Sequence, residues 1–228
     1  MSFTHAIGAA ADKIVVIIVR ALAVARINPN TLTFIGVLIN VAAAAILATG
    51  NFRVAGVVIV CAAVFDLVDG RVARTTGRVT RFGGFFDSVM DRYSDLFLLI
   101  GLLVYYASIN RFFYIVLTAM AMVATVMISY SRARAENVIP KCKVGFMERP
   151  ERIVLLIIGA LFDRMAPVLW VIAVLGNLTV IHRMIYTWQE TRRLEAEESL
   201  QPAAAADPPA PGRTGNEKAA RRQESPAT

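Results

Sequence analysis

The sequence predicts an all-α, polytopic membrane protein: six transmembrane helices preceded by an N-terminal amphipathic surface helix. Three observations predict it. The chain of 228 residues is 57% hydrophobic and has a mean hydropathy of +0.57, above the roughly 45–50% apolar content of soluble domains. Its apolar runs repeatedly approach the roughly 20 residues that a bilayer crossing needs. Basic residues gather in alternate connections between those runs.

The stretch from Ala10 to Val24 is apolar but interrupted by Lys13 and Arg20. Ile14, Ile17, Ile18 and Leu22 recur at helical spacing, so residues 1–28 read as a helix lying on the membrane surface rather than a span or a cleavable leader. The spans follow at about Leu32–Thr49, Val54–Ala73, Gly84–Ser108, Phe112–Arg134, Arg152–Phe162 (extended backwards by the turn at Glu148) and Ala166–Trp188. Helices are the reading because each backbone amide in a bilayer must be satisfied within its own segment. Residues 29–190 therefore form the membrane domain. Residues 191–228 form a charged, Ala- and Pro-rich cytoplasmic tail, in which Thr191–Glu198 prolongs the last helix briefly and Gln201–Thr228 lacks any apolar period and reads as disordered.

With the N-terminus inside, the outer loops hold only Arg53, Arg111 and Arg164, whereas the inner segments hold Arg71, Arg74, Arg78, Arg81, Arg132, Arg134, Lys141, Lys143, Arg149 and Arg152. This bias places both termini in the cytoplasm. The net charge of +7 is thus explained by the anionic inner leaflet, and no nucleic-acid motif accompanies it. Cys61 and Cys142 have no zinc spacing and read as free thiols. His5 and His182 are too far apart to form an evident pair.

Residues 66–91 read DLVDGRVARTTGRVTRFGGFFDSVMD. Asp66, Asp69, Asp87 and Asp91 sit at the inner ends of apolar helices, where an ionised Asp at the membrane centre costs about 2.5–3.5 kcal/mol. Such a cluster needs positive charge to offset it. Asp66 and Asp69 are three apart and Asp87 and Asp91 four apart, so each pair shares a helix face. Two facing helices would converge four carboxylates, an oxygen-only set that suits Mg²⁺ together with substrate phosphates. Gly70, Ala73, Gly83 and Gly84 leave room for close approach, and Arg74 is placed to pair with phosphate or brace a carboxylate. Ion pairing with Arg71, Arg74 or Arg92 is the alternative for the aspartates. Asp95 continues the Asp87–Asp91 face by one turn and reads as a bracing residue rather than a ligand.

The string resembles the signature of the CDP-alcohol phosphotransferases, D-x2-D-G-x2-A-R-x8-G-x3-D-x3-D. Asp66, Asp69, Gly70, Ala73, Arg74, Gly83, Asp87 and Asp91 supply every fixed position at its spacing. The resemblance covers about residues 1–190. It implies that Asp66, Asp69 and Asp87 hold one or two Mg²⁺ ions (Mn²⁺ as an alternative), with Asp91 joining the second. It also implies that Asp91 is the general base, deprotonating an acceptor alcohol that attacks the lipid phosphate as CMP leaves. Gly70, Arg74, Thr80 and the stretch Asn30, Thr31, Leu32 and Thr33 would hold the CDP-lipid, and a homodimer is expected.

A second patch, SYSRARAE at Ser129–Glu136 and GFMERPER at Gly145–Arg152, places several guanidiniums near the inner helix ends, with Arg183 near that of the last span. Arg binds phosphate in a bidentate way. Pro150 suits the first turn of a helix, with Glu148 and Glu151 near its positive end. These strings resemble the phosphatidylinositol phosphate synthase branch of the family. By that resemblance Ser129, Arg132, Arg149, Arg152 and Arg183 form the pocket for inositol 1-phosphate, which accepts the lipid from CDP-diacylglycerol. The branch often carries Lys where this chain has Arg132, so the charge is kept and the hydrogen-bond geometry changes. The implied setting is the plasma membrane of a prokaryote, with the active site facing the cytoplasm.

The same chemistry with glycerol 3-phosphate as acceptor, or with a CDP-linked archaeal lipid as donor, stays open. Membrane-embedded carboxylates also mark transporters and channels. That reading predicts polar residues deep in several spans, whereas Ile35–Leu47 and Leu96–Val104 are largely apolar. An inactive membrane scaffold is the third alternative, and the intact signature argues against it.

Overall fold

The structure, a computed structural model, describes residues 28–75 and 80–200. The expected surface helix lies outside them apart from Asn28, as do residues 201–228 of the tail. The side chains of residues 69–75, although their backbone is helical, are also outside. Six helices make up the described chain: α1 (Pro29–Ala48), α2 (Phe52–Thr75), α3 (Arg81–Ser108), α4 (Phe112–Ala135), α5 (Arg149–Leu161) and α6 (Met165–Leu200). No strand occurs among the described residues.

Each helix end has a local cause. Pro29 starts α1, where the missing amide costs nothing. Gly50, at φ 83°, makes the turn that ends it, and a side chain there would collide with Tyr105. Thr80 caps α3 by accepting a hydrogen bond from the Gly83 amide at 2.9 Å. Glu148 and Glu151 form a reciprocal capping box on α5, with Pro150 in its first turn. Asn110 and Asp163, both left-handed, turn the chain into α4 and α6.

α1 packs against both α2 and α3, while α2 packs on α5 and α3 on α4. The close contacts use small residues, as helix pairs without a hydrophobic driving force require. Ala43, Ala55, Ala121 and Ala160 are fully buried in the core, between Leu47, Leu98, Leu102, Leu169 and Ile172. At Gly101 the α3 backbone rides directly on Ala44 of α1. Large apolar side chains stay exposed along every helix, among them Leu38, Val57, Val104, Met120, Ile158 and Ile181. That pattern suits a lipid surround.

Among the described residues, three helices are long and apolar enough to cross a membrane: Asn30–Ala48, Phe112–Ala135 and Met165–Glu197. The sequence reading expected six. The other three, α2, α3 and α5, fall short for charge or length. α2 and α3 are interrupted by their aspartates and arginines. α5 has 13 residues, about 20 Å of helix against a hydrocarbon core of about 30 Å.

Residues up to Trp188 gather in one compact unit and those from Gln189 in a second. In the latter, helix continues to Leu200, two residues past the prolongation expected over Thr191–Glu198. There Arg193 pairs with Glu197 at 2.9 Å and Glu190 at 3.9 Å.

A Cβ on Gly101 would lie 2.3 Å from the Ala44 carbonyl oxygen. Gly101→Ala is therefore expected to push α1 from α3 and destabilise the protein by about 1–3 kcal/mol. Gly84→Ala, which meets no neighbour within 4 Å, is expected to leave stability unchanged or slightly raised. Thermal unfolding of the two variants in detergent checks the contrast.

Candidate active site

Asp66 on α2 and Asp91 and Asp95 on α3 converge on one guanidinium. Arg149, the first residue of α5, places Nη2 2.7 Å from Asp66 Oδ2, Nη1 3.0 Å from Asp91 Oδ1 and Nε 3.3 Å from Asp95 Oδ1. All three of its nitrogens are engaged, each on a different carboxylate. Asp87 is close enough to Asp66 and Asp91 to interact with both electrostatically. Gly36 of α1 makes the space, since a Cβ there would sit 2.8 Å from Asp66 Oδ1.

The expected ion-pair alternatives were Arg71, Arg74 and Arg92. The first two fall among the undescribed side chains, and Arg92 donates to the Ser88 carbonyl of its own helix. The actual partner is Arg149, far along the chain, where no helical spacing could reveal it. Asp95, expected to act as a brace, pairs with two arginines. At 3% exposure it holds both Arg149 and the equally buried Arg152, whose Nη2 lies 2.7 Å from Asp95 Oδ2.

Among the described side chains, no three acidic, histidine or cysteine groups stand close enough together to hold a metal ion. Asp69, one turn beyond Asp66 on α2, has no described side chain. The donors nonetheless fit a hard divalent cation: they are carboxylate oxygens only, and the space between Asp66 and Asp91 already holds a positive charge.

Two of the expected CDP-lipid residues come together at the start of α3. Thr80 Oγ1 and Asn30 Oδ1 would lie 2.9 and 3.4 Å from a Cβ on Gly83. Close approach is therefore seen at Gly83, and not at Gly84 as the sequence reading also expected. Thr31 is exposed beside them, whereas Leu32 and Thr33 turn into the bundle. The side chain of Leu32 is core packing, so the contact expected of it does not rest on an exposed group. The side chain of Arg74 and the surroundings of Gly70 lie outside the description.

The acceptor residues were anticipated as a group, and they line one cavity. It has a volume of about 400 Å³ and is bordered by Ser129, Arg132, Arg149, Arg152 and Arg183, with Arg92, Glu136 and Glu148 completing the charged wall. Arg183, 1% exposed, donates through Nε to the Val144 carbonyl at 2.9 Å and through Nη1 to that of Ile128. This ties the 136–148 loop and the end of α4 to α6. Thr179 Oγ1 accepts from the Phe146 amide at 3.2 Å, and Gly145, at φ 131°, lets the loop pass closely over Thr179. Among the described cavity residues, Arg152 Nε, Arg152 Nη1 and Arg183 Nη2 are buried donors without a hydrogen bond, although Arg183 Nη2 has the Glu148 carboxylate at 3.5 Å. Leaving a buried donor unmatched costs about 1–3 kcal/mol each, an expense that a bound anion would remove.

Glu148 is the residue the sequence reading underused. Beyond capping α5, its Oε1 lies 3.0 Å from Arg132 Nη1 and 3.5 Å from Arg183 Nη2. Its place in a run of arginines was the available signal.

Comparison with known proteins identifies the family. Residues 26–189 match the sequence profile described as CDP-alcohol phosphatidyltransferase. The archaetidylinositol phosphate synthase of Methanothermobacter thermautotrophicus is 36% identical over 167 residues, spanning 71% of this chain and 83% of the relative. The Mycobacterium tuberculosis phosphatidylinositol phosphate synthase, solved with CDP-DAG bound, superposes with a TM-score of 0.71 at 29% identity, covering 77% of this chain and 94% of that one. The same enzyme in complex with manganese and citrate gives a TM-score of 0.69 at 30% identity, over 75% and 87% of the two chains. With the matched profile spanning most of the sequence and the aspartate signature intact, this chain belongs to the CDP-alcohol phosphatidyltransferase family and is a transferase.

Proposed function

We propose that this enzyme transfers the phosphatidyl group of CDP-diacylglycerol to the hydroxyl of inositol 1-phosphate, giving phosphatidylinositol phosphate and CMP. The observation that carries the choice of acceptor is the cavity: Arg132, Arg149, Arg152 and Arg183 all border it, and it adjoins the carboxylates through Arg149. Guanidinium forks in a partly enclosed space favour a phosphate dianion. The relatives' names support the same acceptor, because both name an inositol phosphate lipid as product. They differ in the lipid, which keeps a CDP-linked archaeal lipid as the alternative donor.

In this reading Asp66, Asp69, Asp87 and Asp91 hold one or two Mg²⁺ ions. The manganese complex of the mycobacterial relative supports a divalent ion. When bound, such ions neutralise the diphosphate and the charge growing on the leaving CMP. The chain's own groups do the rest. Ser129, Arg132, Arg149, Arg152 and Arg183 fix the acceptor phosphate and thereby aim its hydroxyl at the lipid phosphorus. Asp91 takes the hydroxyl proton as the new P–O bond forms and the bond to CMP breaks. Asn30, Thr31, Thr33, Gly70, Arg74 and Thr80 hold the cytidine diphosphate, with Leu32 setting the start of α1 from behind.

The six helices cross a prokaryotic plasma membrane as a bundle, with the charged α2 and α3 and the short α5 sheltered at their inner ends. The apolar exposed faces of all three support that placement. The site and both termini face the cytoplasm, residues 1–28 lie on the membrane surface, and the enzyme works as a homodimer.

Purified protein with Mg²⁺ and CDP-diacylglycerol is expected to incorporate radiolabelled inositol 1-phosphate into lipid and release CMP. Incorporation of glycerol 3-phosphate with none of inositol 1-phosphate would reject the acceptor. Asp91→Asn is expected to abolish CMP release while the thermal unfolding midpoint is retained. Arg132→Ala, at a half-exposed position, is expected to raise the acceptor KM by about tenfold or more, as loss of one charge-assisted hydrogen bond predicts. The KM for the CDP-lipid should hardly move.

A further inference from the structure

Glu148 and Arg149 are consecutive and opposite in charge, and each sits in the half of the site that attracts its sign. Arg149 lies among carboxylates at 2.7, 3.0 and 3.3 Å. Glu148 lies among guanidiniums at 3.0 and 3.5 Å. Neither arrangement is compatible with a fully loaded site. A divalent ion of magnesium's size takes carboxylate oxygens at about 2.0–2.1 Å. It could not share Asp66 Oδ2 and Asp91 Oδ1 with two cationic N–H groups already aimed at them. A phosphate dianion on Arg132 and Arg183 would likewise meet the Glu148 carboxylate.

We propose that Arg149 is an exchangeable counter-ion: it fills the seat between Asp66 and Asp91 until a divalent cation displaces it, and it then turns into the arginine cavity to receive the acceptor phosphate. The inference rests on reading those aspartates as the metal seat and the cavity as the phosphate site. The cavity wall already includes Arg149, so the exchange needs only a side-chain rotation. The capping box keeps the α5 backbone in place. The planar guanidinium swings as a unit, and Asp95, which it leaves, stays paired with Arg152. Glu148 is the counterpart on the anion side, shielding Arg132 and Arg183 until phosphate arrives. Metal binding thus frees a phosphate ligand. By linkage, the acceptor must strengthen metal binding by the same factor.

The test is a Mn²⁺ titration of the purified full chain, with free ion followed by electron paramagnetic resonance. Arg149→Gln removes the competing charge and is expected to bind Mn²⁺ about fivefold or more tightly than the unsubstituted chain. Asp66→Asn is expected to bind it far more weakly. Unchanged or weaker Mn²⁺ binding in Arg149→Gln, with binding lost in Asp66→Asn, overturns the exchange and leaves the metal seat intact. Unchanged binding in Asp66→Asn overturns the metal seat and the exchange together. The unsubstituted chain gives an independent arm that does not depend on a variant folding. Inositol 1-phosphate, titrated calorimetrically, is expected to bind about fivefold or more tightly with Mg²⁺ than without. Equal affinities overturn the coupling, and absence of binding in both conditions overturns the acceptor assignment along with it.

Discussion

Several carboxylates at the ends of apolar helices cannot be placed side by side without a cation to hold them, and Arg149 supplies it. Its guanidinium ties α2 to α3 and both to the start of α5. Removing one partner from a buried ion pair costs roughly 3–5 kcal/mol because it strands the other charge. The Asp95–Arg152 pair beneath, each 3% exposed, has that character. Arg149 and Asp66, at 28% and 21% side-chain exposure, are less committed. The network is graded: a deep, closed pair fixes the scaffold, and a shallower, more open set sits where ligands arrive.

The packing serves this arrangement. Gly101 brings α3 against the α1 backbone, and Gly36 of α1 leaves space for the Asp66 carboxylate. Gly83 brings the capped start of α3 against Asn30. The 136–148 loop is held from α6 by Thr179 and Arg183, which positions Glu148 and Arg149 at the junction of the acidic and basic halves. Chemistry and scaffold thus meet at two adjacent residues.

The sequence made much of this legible. The i, i+4 spacing of Asp87 and Asp91 placed them on one face, and the spacing of apolar runs marked the helices. Arg132, Arg149, Arg152 and Arg183 were expected in one pocket, and all four line one cavity. What the sequence did not show depends on tertiary contact. Arg149 was read as a phosphate ligand only, because nothing local tells that it reaches Asp66 across the bundle. Gly36 lies outside the signature, and its role depends on which α1 face meets α2. Leu32 was taken with its neighbours as a ligand contact, yet the helical turn of α1 sends it into the core. At α6 the charged prolongation was legible as far as Glu198, and the structure carries the helix to Leu200. Solvent-exposed i, i+4 pairs such as Arg193–Glu197 need no apolar periodicity.

The central claim is that the carboxylates of α2 and α3 share a seat for a divalent ion just beside an arginine-lined phosphate site. Anomalous diffraction from crystals of the protein grown with Mn²⁺ tests it most directly. The account predicts an anomalous peak between Asp66 and Asp91, within coordination distance of both, with Arg149 turned away toward the cavity. Ordered Mn²⁺ bound elsewhere, with Arg149 still bridging Asp66 and Asp91, would contradict it.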